Sequence, residues 1–438
     1  MKAMSYLKIR GESMSTNPRK VVFNHTNSEH PADKRWYVGA TKKQWTVFWA
    51  AFLGWALDVM DLMLYSMVIV YVIQEFGMNS SMAGTIASAA LIASAFGGII
   101  FGFVADKFGR KKSMLYSIIL YSAASLLCGF SESFTQLIVF RILVGLGTGG
   151  EWSAGAALVT ETWPAQHRAK VMAFVQSAFA VGYALAALIA MVVIPVWGWR
   201  GVFFAGVLPA LITLWIRKKA PESEMWEKQE ERLSPTKIMA TLFGEHKKYT
   251  IISLLFTSFA MLGYWGLFTW IPTYLATPVS SGGPGLDVVK SSVWIVIMQG
   301  GAWLGFVLYG YISDAIGRKK SFALFFIVSA ISVPIYMLIK DVTVLLIFGP
   351  IVAFFGTGFY SGFGPLFAEL FPTSIRATAQ GFIYNVSRAL SAFAPFIIGQ
   401  LAVSRGLSSA LLVTSGFFLL AAIVVLLFIP ETKNQELV

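Results

Sequence analysis

Five ionisable side chains lie inside long apolar segments of the sequence, and these are the residues best suited to chemistry. They are Asp58, Asp61, Arg141, Glu151 and Arg388. A charged side chain within a membrane-spanning segment is costly and tends to be functional. Carboxylates can carry protons, and a guanidinium can bind a carboxylate through two parallel hydrogen bonds. The set indicates proton movement and recognition of an organic anion.

The paired aspartates of the first apolar segment are the candidate proton carriers. Two nearby carboxylates resist joint ionisation in a low-dielectric cavity, so we expect Asp61, with Asp58 as a second participant, to carry the proton. Arg141 would pair with the deprotonated form. The alternative is a permanent Asp61–Arg141 ion pair that only fixes helix packing. Glu151 fits equally well as a second proton site or as an anchor to a neighbouring helix.

Arg388 is the candidate ligand for a substrate carboxylate, because no acidic residue on its own segment neutralises it. The alternative is a pair with Asp58 on another helix. At 1.5 Å per helical residue, Asp58 lies about 20 Å and Arg388 about 18 Å from the inner ends of their helices. Asp61 and Arg141 match at about 24 and 26 Å. Depth therefore permits both pairings.

Helical spacing places polar and aromatic side chains beside these charges. Tyr65 continues the stripe of Asp58 and Asp61, and Tyr384 precedes Arg388 by one turn. The other candidate lining residues are Asn385, Gln176, Tyr183, Tyr264, Gln299 and Trp303. Polar stripes from two halves of the chain predict one central substrate cavity.

Membrane-spanning helices are the elements that must position these residues. The chain has 438 residues, of which 56% are hydrophobic and 13% charged, whereas an ordinary soluble domain carries about 25% charged residues. Apolar runs of roughly 20 residues predict spans near 45–73, 84–105, 113–131, 135–158, 171–195, 200–217, 250–275, 291–312, 321–339, 342–366, 378–401 and 408–429. Because lipid satisfies no backbone polar group, we predict an all-α membrane protein with twelve transmembrane helices.

The distribution of charge predicts the topology. The net charge is +12, and the 34 Lys and Arg residues concentrate in the two tails and in the loops after even-numbered spans. The alternate loops hold only Arg200, Lys290, Lys340 and Arg405. This positive-inside asymmetry places both termini in the cytoplasm. It accounts for the basic excess without a nucleic-acid partner.

Composition also predicts the domain boundaries. We expect a polar cytoplasmic tail at 1–44, a six-helix bundle at 45–217, a cytoplasmic loop at 218–249, a second bundle at 250–429 and a tail at 430–438. The tail at 1–44 lacks an apolar signal-peptide core, and the compact loops favour a bacterial inner membrane. A monomer that binds a small organic anion and protons within the lipid bilayer is expected.

The sequence shows none of the residue patterns that cofactor binding or enzyme catalysis requires. Cys128 is the single cysteine, which excludes paired-cysteine metal motifs. The spans contain no nucleophile–base pair, phosphate-binding loop or metal-spaced cluster. We therefore predict no catalytic residues, no metal and no cofactor, and the chain is not expected to be an enzyme.

A duplicated loop motif divides the chain into two halves. Residues 102–113 match 310–321, and 161–169 match 369–377, both at an offset of 208 (310 − 102 and 369 − 161). Pairs of Arg110 with Glu161 and of Arg318 with Glu369 would latch the inner face of the bundle; the lysines of these loops more simply satisfy the topology. The predicted conformational latch comprises Gly102, Asp106, Gly109, Arg110, Glu161 and Arg168, with Asp314, Gly317, Arg318, Glu369 and Arg376 in the second half.

The run Gly102-Phe-Val-Ala-Asp-Lys-Phe-Gly-Arg-Lys-Lys112 resembles the signature of the major facilitator superfamily, and the repeat and the twelve spans agree. The resemblance implies two pseudo-symmetric six-helix bundles that work by alternating access. Asp58-Val-Met-Asp61, the run from Arg141 to Trp152 and Trp270-Ile-Pro272 are similar to the sialate and lactate proton symporters. The aspartate pair also resembles that of the aromatic-acid proton symporters. Both branches imply symport of a monocarboxylate with protons.

Two alternatives stay open at this point. A proton-coupled sugar or polyol symporter would also use an Asp–Arg pair, and a sensor derived from a transporter would bind its ligand without moving it. Arg388 favours an anionic substrate over the first alternative. Net substrate flux would separate a transporter from the second.

Overall fold

The computed structural model describes residues 37–207, 240–372 and 375–433, and side chains at a few further positions fall outside that description. Within the described residues, all regular structure is helical. From Gly39 onward the described chain belongs to one compact unit. The predicted boundaries at 217 and 218 lie outside the described residues, and the domain division stays a prediction.

The first half consists of long helices. They are α1 (Lys42–Phe76), α2 (Ser80–Phe108), α3 (Arg110–Gly129), α4 (Phe134–Thr162) and α5 (Ala165–Phe204). Thr41, Asn79 and Ser133 cap the starts of α1, α2 and α4 with their side chains, which satisfies amide groups that have no partner within the helix. Helix α5 contains the fifth predicted span and the start of the sixth. Gly198, at φ +67°, interrupts the helix between them.

The second half uses more and shorter helices. They are α6 (Lys247–Phe268), α7 (Ile271–Ala276), α8 (Val288–Ile316), α9 (Arg318–Leu338), α10 (Val342–Gly358), α11 (Tyr360–Leu370), α12 (Arg376–Ser391), α13 (Phe393–Arg405) and α14 (Leu407–Phe428). The seventh, tenth and eleventh predicted spans are each divided between two helices. Pro272 and Pro395 lie within one turn after two of these breaks. Proline cannot donate to the preceding turn, but it fits the first turn of a new helix.

Length and composition support membrane insertion of these helices. Ten helical segments of the described chain are long and apolar enough to cross a bilayer, and Phe134–Gly150 is a shorter apolar helix. The predicted all-α membrane fold is therefore confirmed. The last ten residues of the sixth predicted span, 208–217, lie outside the described part.

The two halves pack together mainly through α5 against α8 and α2 against α13. We call the end of the bundle at which α2 begins the Ser81 end. The opposite end, which carries the duplicated loops, is called the loop-motif end. At the Ser81 end, the Ser81 hydroxyl lies 2.6 Å from Gln400 Oε1, and the Phe396 amide donates to Ser88 Oγ at 3.1 Å. A Cβ on Gly84 would lie 2.5 Å from the Pro395 carbonyl oxygen. The halves are thus in close backbone contact at this end.

Candidate substrate and proton site

Asp61 and Arg141 lie together inside the first half. Arg141 of α4 donates from Nη1 to the Asp61 carbonyl at 3.3 Å and from Nη2 to the Leu62 carbonyl at 3.0 Å. The Asp61 carboxylate instead accepts a hydrogen bond from the Ser125 hydroxyl of α3. The Arg141 guanidinium also lies 5.4 Å from the centre of the Tyr65 ring. The structure brings the predicted pair together, but the hydrogen bonds of the arginine go to the main chain of α1.

Asp58 of the first half and Arg388 of the second half are a second buried acid and base. Both side chains are buried, at 1% and 3% exposure, and the charge of Arg388 acts on Asp58. Asp58 Oδ1 and Arg388 Nε have no hydrogen-bond partner among the described residues. Buried polar groups in folded proteins are nearly always hydrogen-bonded, so this pair has unused capacity to bind a ligand.

Three further polar side chains surround this pair. Tyr384, one turn before Arg388, lies within electrostatic range of Arg388 and Asp58 and within hydrogen-bonding reach of Gln176. The Tyr264 hydroxyl is near Tyr384 and, like Gln176 Oε1, is buried without a protein partner in the described chain. The elements involved are α1, α5, α6 and α12, so the cluster draws on both halves. A few convergent polar groups in an apolar site are typical of ligand recognition.

Some predicted lining residues have other roles. The Tyr65 hydroxyl donates to the Ala83 carbonyl at 3.0 Å, and the Tyr183 hydroxyl donates across the halves to the Phe268 carbonyl at 2.6 Å. The amide of Asn385 donates to the Gly381 carbonyl on its own helix. Gln299 is buried in α8. The hydroxyls of Tyr65 and Tyr183 therefore connect neighbouring helices.

Trp303 is not brought to the site. Its side chain is 39% exposed and belongs to a stripe of α8 that faces away from the bundle. The other members of the stripe are Val293, Ile297, Gly300, Leu304 and Leu308. In a membrane this stripe contacts lipid.

Sequence reasoning missed two aromatic residues at the centre, Phe179 of α5 and Tyr360 of α11. The Tyr360 hydroxyl is buried without a protein partner in the described part of the chain and lies in electrostatic range of Tyr384 and Arg388. An aromatic residue in an apolar span is usually a packing residue. Tyr360 differs from such packing residues in its position directly after a helix break, and the sequence around it predicts that break only weakly.

The duplicated loops fold alike in both halves. Gly109 and Gly317 have φ values of +103° and +100°, a conformation that glycine adopts without strain. Arg168 Nε donates to the Trp163 carbonyl at 2.9 Å, and Arg376 Nε donates to the Phe371 carbonyl at 3.2 Å. These arginines satisfy carbonyls at the ends of α4 and α11.

The second-half latch pair is formed. Arg318 Nε lies 3.2 Å from Glu369 Oε1, and Arg318 Nη1 lies 2.6 Å from Asp314 Oδ1. Glu431 of the C-terminal segment accepts from the Arg318 amide at 2.8 Å, and Thr432 Oγ1 lies 2.5 Å from Glu369 Oε2. All these groups belong to the second half, so the network ties its own helices together. The latch role stays a prediction.

The remaining predicted residues give less information. A Cβ on Gly102 would meet open space, so no close helix approach requires this glycine. The side chains of Asp106, Arg110, Glu151 and Glu161 lie outside the described part of the structure. Among the described residues, no group of His, Cys, Asp and Glu could hold a metal ion.

Comparison with known proteins identifies the family. The sequence profile of the Major Facilitator Superfamily matches residues 50–282 and 284–437. The chain belongs to this superfamily. The sialic acid transporter NanX of Escherichia coli is 32% identical over 90% of this chain and 95% of that protein. The cis,cis-muconate transport protein of Acinetobacter baylyi is 31% identical over 88% of this chain and 94% of that protein.

Solved structures agree on the fold. The crystal structure of a D-xylose–proton symporter superimposes with a TM-score of 0.75, covering 90% of this chain and 100% of that one, at 20% sequence identity. At that identity the likeness concerns architecture alone. The family and the transporter relatives make this superfamily member a transporter rather than an enzyme, and they confirm the predicted resemblance.

Proposed function

We propose that this transporter carries a small organic anion together with protons by alternating access. The observation that supports the proposal is that Asp58 and Arg388, buried and from opposite halves, interact electrostatically and keep unused hydrogen-bonding capacity. In major facilitator folds, substrate sites lie near the bilayer midplane at the repeat interface. The names of two relatives, a sialic acid transporter and a muconate transport protein, support an acid as substrate.

Competition for one guanidinium would couple the anion to the proton. A substrate carboxylate that binds Arg388 takes the counter-charge away from Asp58. A buried carboxylate without a partner is strongly destabilising, so binding of a proton to Asp58 would offset that cost. Substrate and proton would then bind and leave together, and the empty transporter would return with Asp58 and Arg388 facing each other.

The Asp61–Arg141 pair has a different part in this proposal. Its hydrogen bonds lie within the first half, so movement of the halves does not have to break them. The sequence hypothesis that Asp61 carries the proton therefore competes with the assignment of Asp58. The two aspartates are one helical turn apart, which makes each the matched control for the other.

Uptake into proteoliposomes tests the assignment. Labelled lactate, sialate and benzoate would be offered with and without an inward proton gradient. We expect Asp58→Asn to abolish gradient-driven accumulation while counterflow exchange continues, and Asp61→Asn to keep accumulation. The reverse pattern would assign the proton-carrying role to Asp61. Transport of sugars but of no acid by the folded protein would overturn the carboxylate assignment and favour the sugar symporter.

We also infer that the loop-motif end faces the cytoplasm of an inner membrane, on the positive-inside distribution of charge. Cys128 is the single cysteine, so Cys128→Ser gives a background without thiols. In that background, Arg405→Cys should react with an impermeant maleimide added outside intact cells, and Lys107→Cys should not. Labelling of Lys107→Cys alone would invert the topology.

A further inference from the structure

The Tyr183 hydroxyl reaches from the first half to a main-chain group of the second. Tyr183 lies in α5, and its hydroxyl donates to the carbonyl of Phe268, the last residue of α6, at 2.6 Å. Both residues are fully buried, at 0% exposure. A buried hydrogen-bonding group that loses its partner is costly, so this contact contributes to the way the halves fit together.

Pro272 explains why the Phe268 carbonyl needs a donor from another helix. In a continuous helix this carbonyl would accept from the amide four residues later, and that residue is Pro272, which has no N–H. The Trp270 amide, two residues after Phe268, donates to the Leu267 carbonyl at 3.1 Å. The Tyr183 hydroxyl therefore supplies the hydrogen bond that the proline removes.

This hydrogen bond lies toward the Ser81 end of the bundle. Helix α5 begins within the duplicated loop at 161–169, and the ring of His246, directly before α6, lies 6.1 Å from the ring of Phe371 at the end of α11. Both helices therefore start at the loop-motif end. At 1.5 Å per residue, Tyr183 is about 27 Å and Phe268 about 32 Å from these starts. In a hydrocarbon core about 30 Å thick, such positions are close to the opposite end.

The helix break after Phe268 also contacts the surfaces that close the Ser81 end. Trp270 Nε1 donates to the Pro395 carbonyl at 3.1 Å, and Gly84 of α2 packs against the same carbonyl oxygen. The break between α6 and α7 thus lies between Tyr183 on one side and a segment in contact with α2 on the other. Separation of the halves at this end must break the Tyr183 hydrogen bond, because its two groups belong to different halves.

We propose that Tyr183 is a gating residue of the Ser81 end, whose hydroxyl replaces the amide missing at Pro272 while the halves are closed there. In the closed arrangement the hydrogen bond satisfies the broken end of α6. When this end opens, water reaches the Phe268 carbonyl and takes the place of the hydroxyl. The hydrogen bond therefore favours the closed arrangement, whatever solute the transporter carries.

Thiol labelling of the purified full chain measures this gate. Ser81→Cys in the Cys128→Ser background reports opening of the Ser81 end through its rate of reaction with a maleimide. We expect Tyr183→Phe to raise that rate about three- to tenfold, as loss of one buried hydrogen bond implies. Tyr336→Phe is the matched control, because its fully buried hydroxyl contacts Met298 Sδ within the second half, at 3.7 Å. It should leave the rate unchanged.

Pro272→Ala separates the gating role from a general effect of the tyrosine on packing. Alanine provides an amide that can donate to the Phe268 carbonyl, so the Tyr183 hydroxyl becomes redundant. In this background we expect Tyr183→Phe to change the labelling rate by about twofold or less. A double-mutant cycle over the two positions measures this coupling.

The outcomes decide the gate independently of the transported solute. Equal labelling of wild type and Tyr183→Phe would overturn the gating role, as would equal acceleration by Tyr183→Phe and Tyr336→Phe. An effect of Tyr183→Phe that is the same with Pro272 and with alanine there would overturn it as well. The uptake assays test the proposed function separately, so either can fail while the other stands. Should Tyr183→Phe not fold, Tyr183→Met, which also lacks the donor, takes its place.

Discussion

The two halves of the bundle build their spans differently. In the first half, α1, α2 and α4 run for 35, 29 and 29 residues without a break. In the second half, the regular helical hydrogen bonding is interrupted locally in three spans, between α6 and α7, at Phe359 and at Ala392, although Phe359 and Ala392 themselves keep helical φ and ψ values. Broken helices at the membrane midplane are a common way to build transporter binding sites. The first half therefore forms a rigid frame of long helices, whereas the second half places helix ends within the bundle where a ligand could bind.

The two buried Asp–Arg pairs follow the same division. Asp61 and Arg141 are both on unbroken helices, and the arginine is hydrogen-bonded to the backbone of α1. Arg388 is in the last turn of α12, directly before the break at Ala392, and has no described hydrogen bond from its Nε. A group at a helix end can change its position at a smaller cost in backbone hydrogen bonds. The difference suggests a structural pair and a working pair.

Removal of each arginine gives the largest expected contrast. Arg141→Met should lower the free energy of unfolding by about 3–5 kcal/mol, because it leaves Asp61 buried without its counter-charge and removes two hydrogen bonds to α1. Arg388→Met should abolish acid binding with a smaller loss of stability, because Asp58 can then bind a proton as in the proposed cycle and the Nε group of Arg388 has no described hydrogen bond to lose. Thermal unfolding in detergent and benzoate binding measure the two effects. Equal destabilisation by both variants would contradict the division.

The fold was predictable because apolar run length and the charge of loops report on the bilayer directly. Depth along a helix was predictable too, since 1.5 Å per residue brought Asp61 level with Arg141 and Asp58 level with Arg388. The hydrogen-bond acceptors of Arg141 were not predictable, because the depth and face of a residue on its helix do not determine its side-chain rotamer. That is why the Arg141 guanidinium was assigned to a carboxylate, whereas it binds main-chain carbonyls.

Face was harder to predict than depth for aromatic residues. Trp303 follows Gln299 by one turn, yet Gln299 is buried and Trp303 is on the exposed stripe. A large ring is equally stable against lipid or against another helix, so hydrophobic patterning does not separate the two environments. Tyr360 was missed for the same reason. The break that precedes it depends on tertiary packing as well as on local sequence.

Closure at the Ser81 end provides a second, smaller contrast between the halves. Gly84 of the unbroken α2 rests on Pro395 of the broken α13, and a Cβ there would lie 2.5 Å from the Pro395 carbonyl oxygen. Overpacking of this kind costs about 1–3 kcal/mol, a shift of roughly 5- to 150-fold in the equilibrium. Gly84→Ala should therefore slow uptake by favouring states open at the Ser81 end.

Gly416→Ala is the matched control for this glycine, because a Cβ at Gly416 meets no atom within 4 Å. Reactivity of Ser81→Cys in the Cys128→Ser background measures opening of this end. We expect faster labelling when Gly84→Ala is added and no change when Gly416→Ala is added. Unchanged labelling in both cases would mean that the contact does not limit closure.

The smallest expected effect concerns the C-terminal segment. Helix α9 begins after Gly317 without a side-chain cap from its own sequence, and the Glu431 carboxylate accepts from the Arg318 amide instead. Loss of a helix cap typically costs about 1 kcal/mol, so Glu431→Ala should speed hydrogen exchange of the amides at 318–321 several-fold. Lys433→Ala, which removes a hydrogen bond to the Ala315 carbonyl, should affect those amides less. Exchange that is equal in the two variants would show that the carboxylate does not act as the cap of α9.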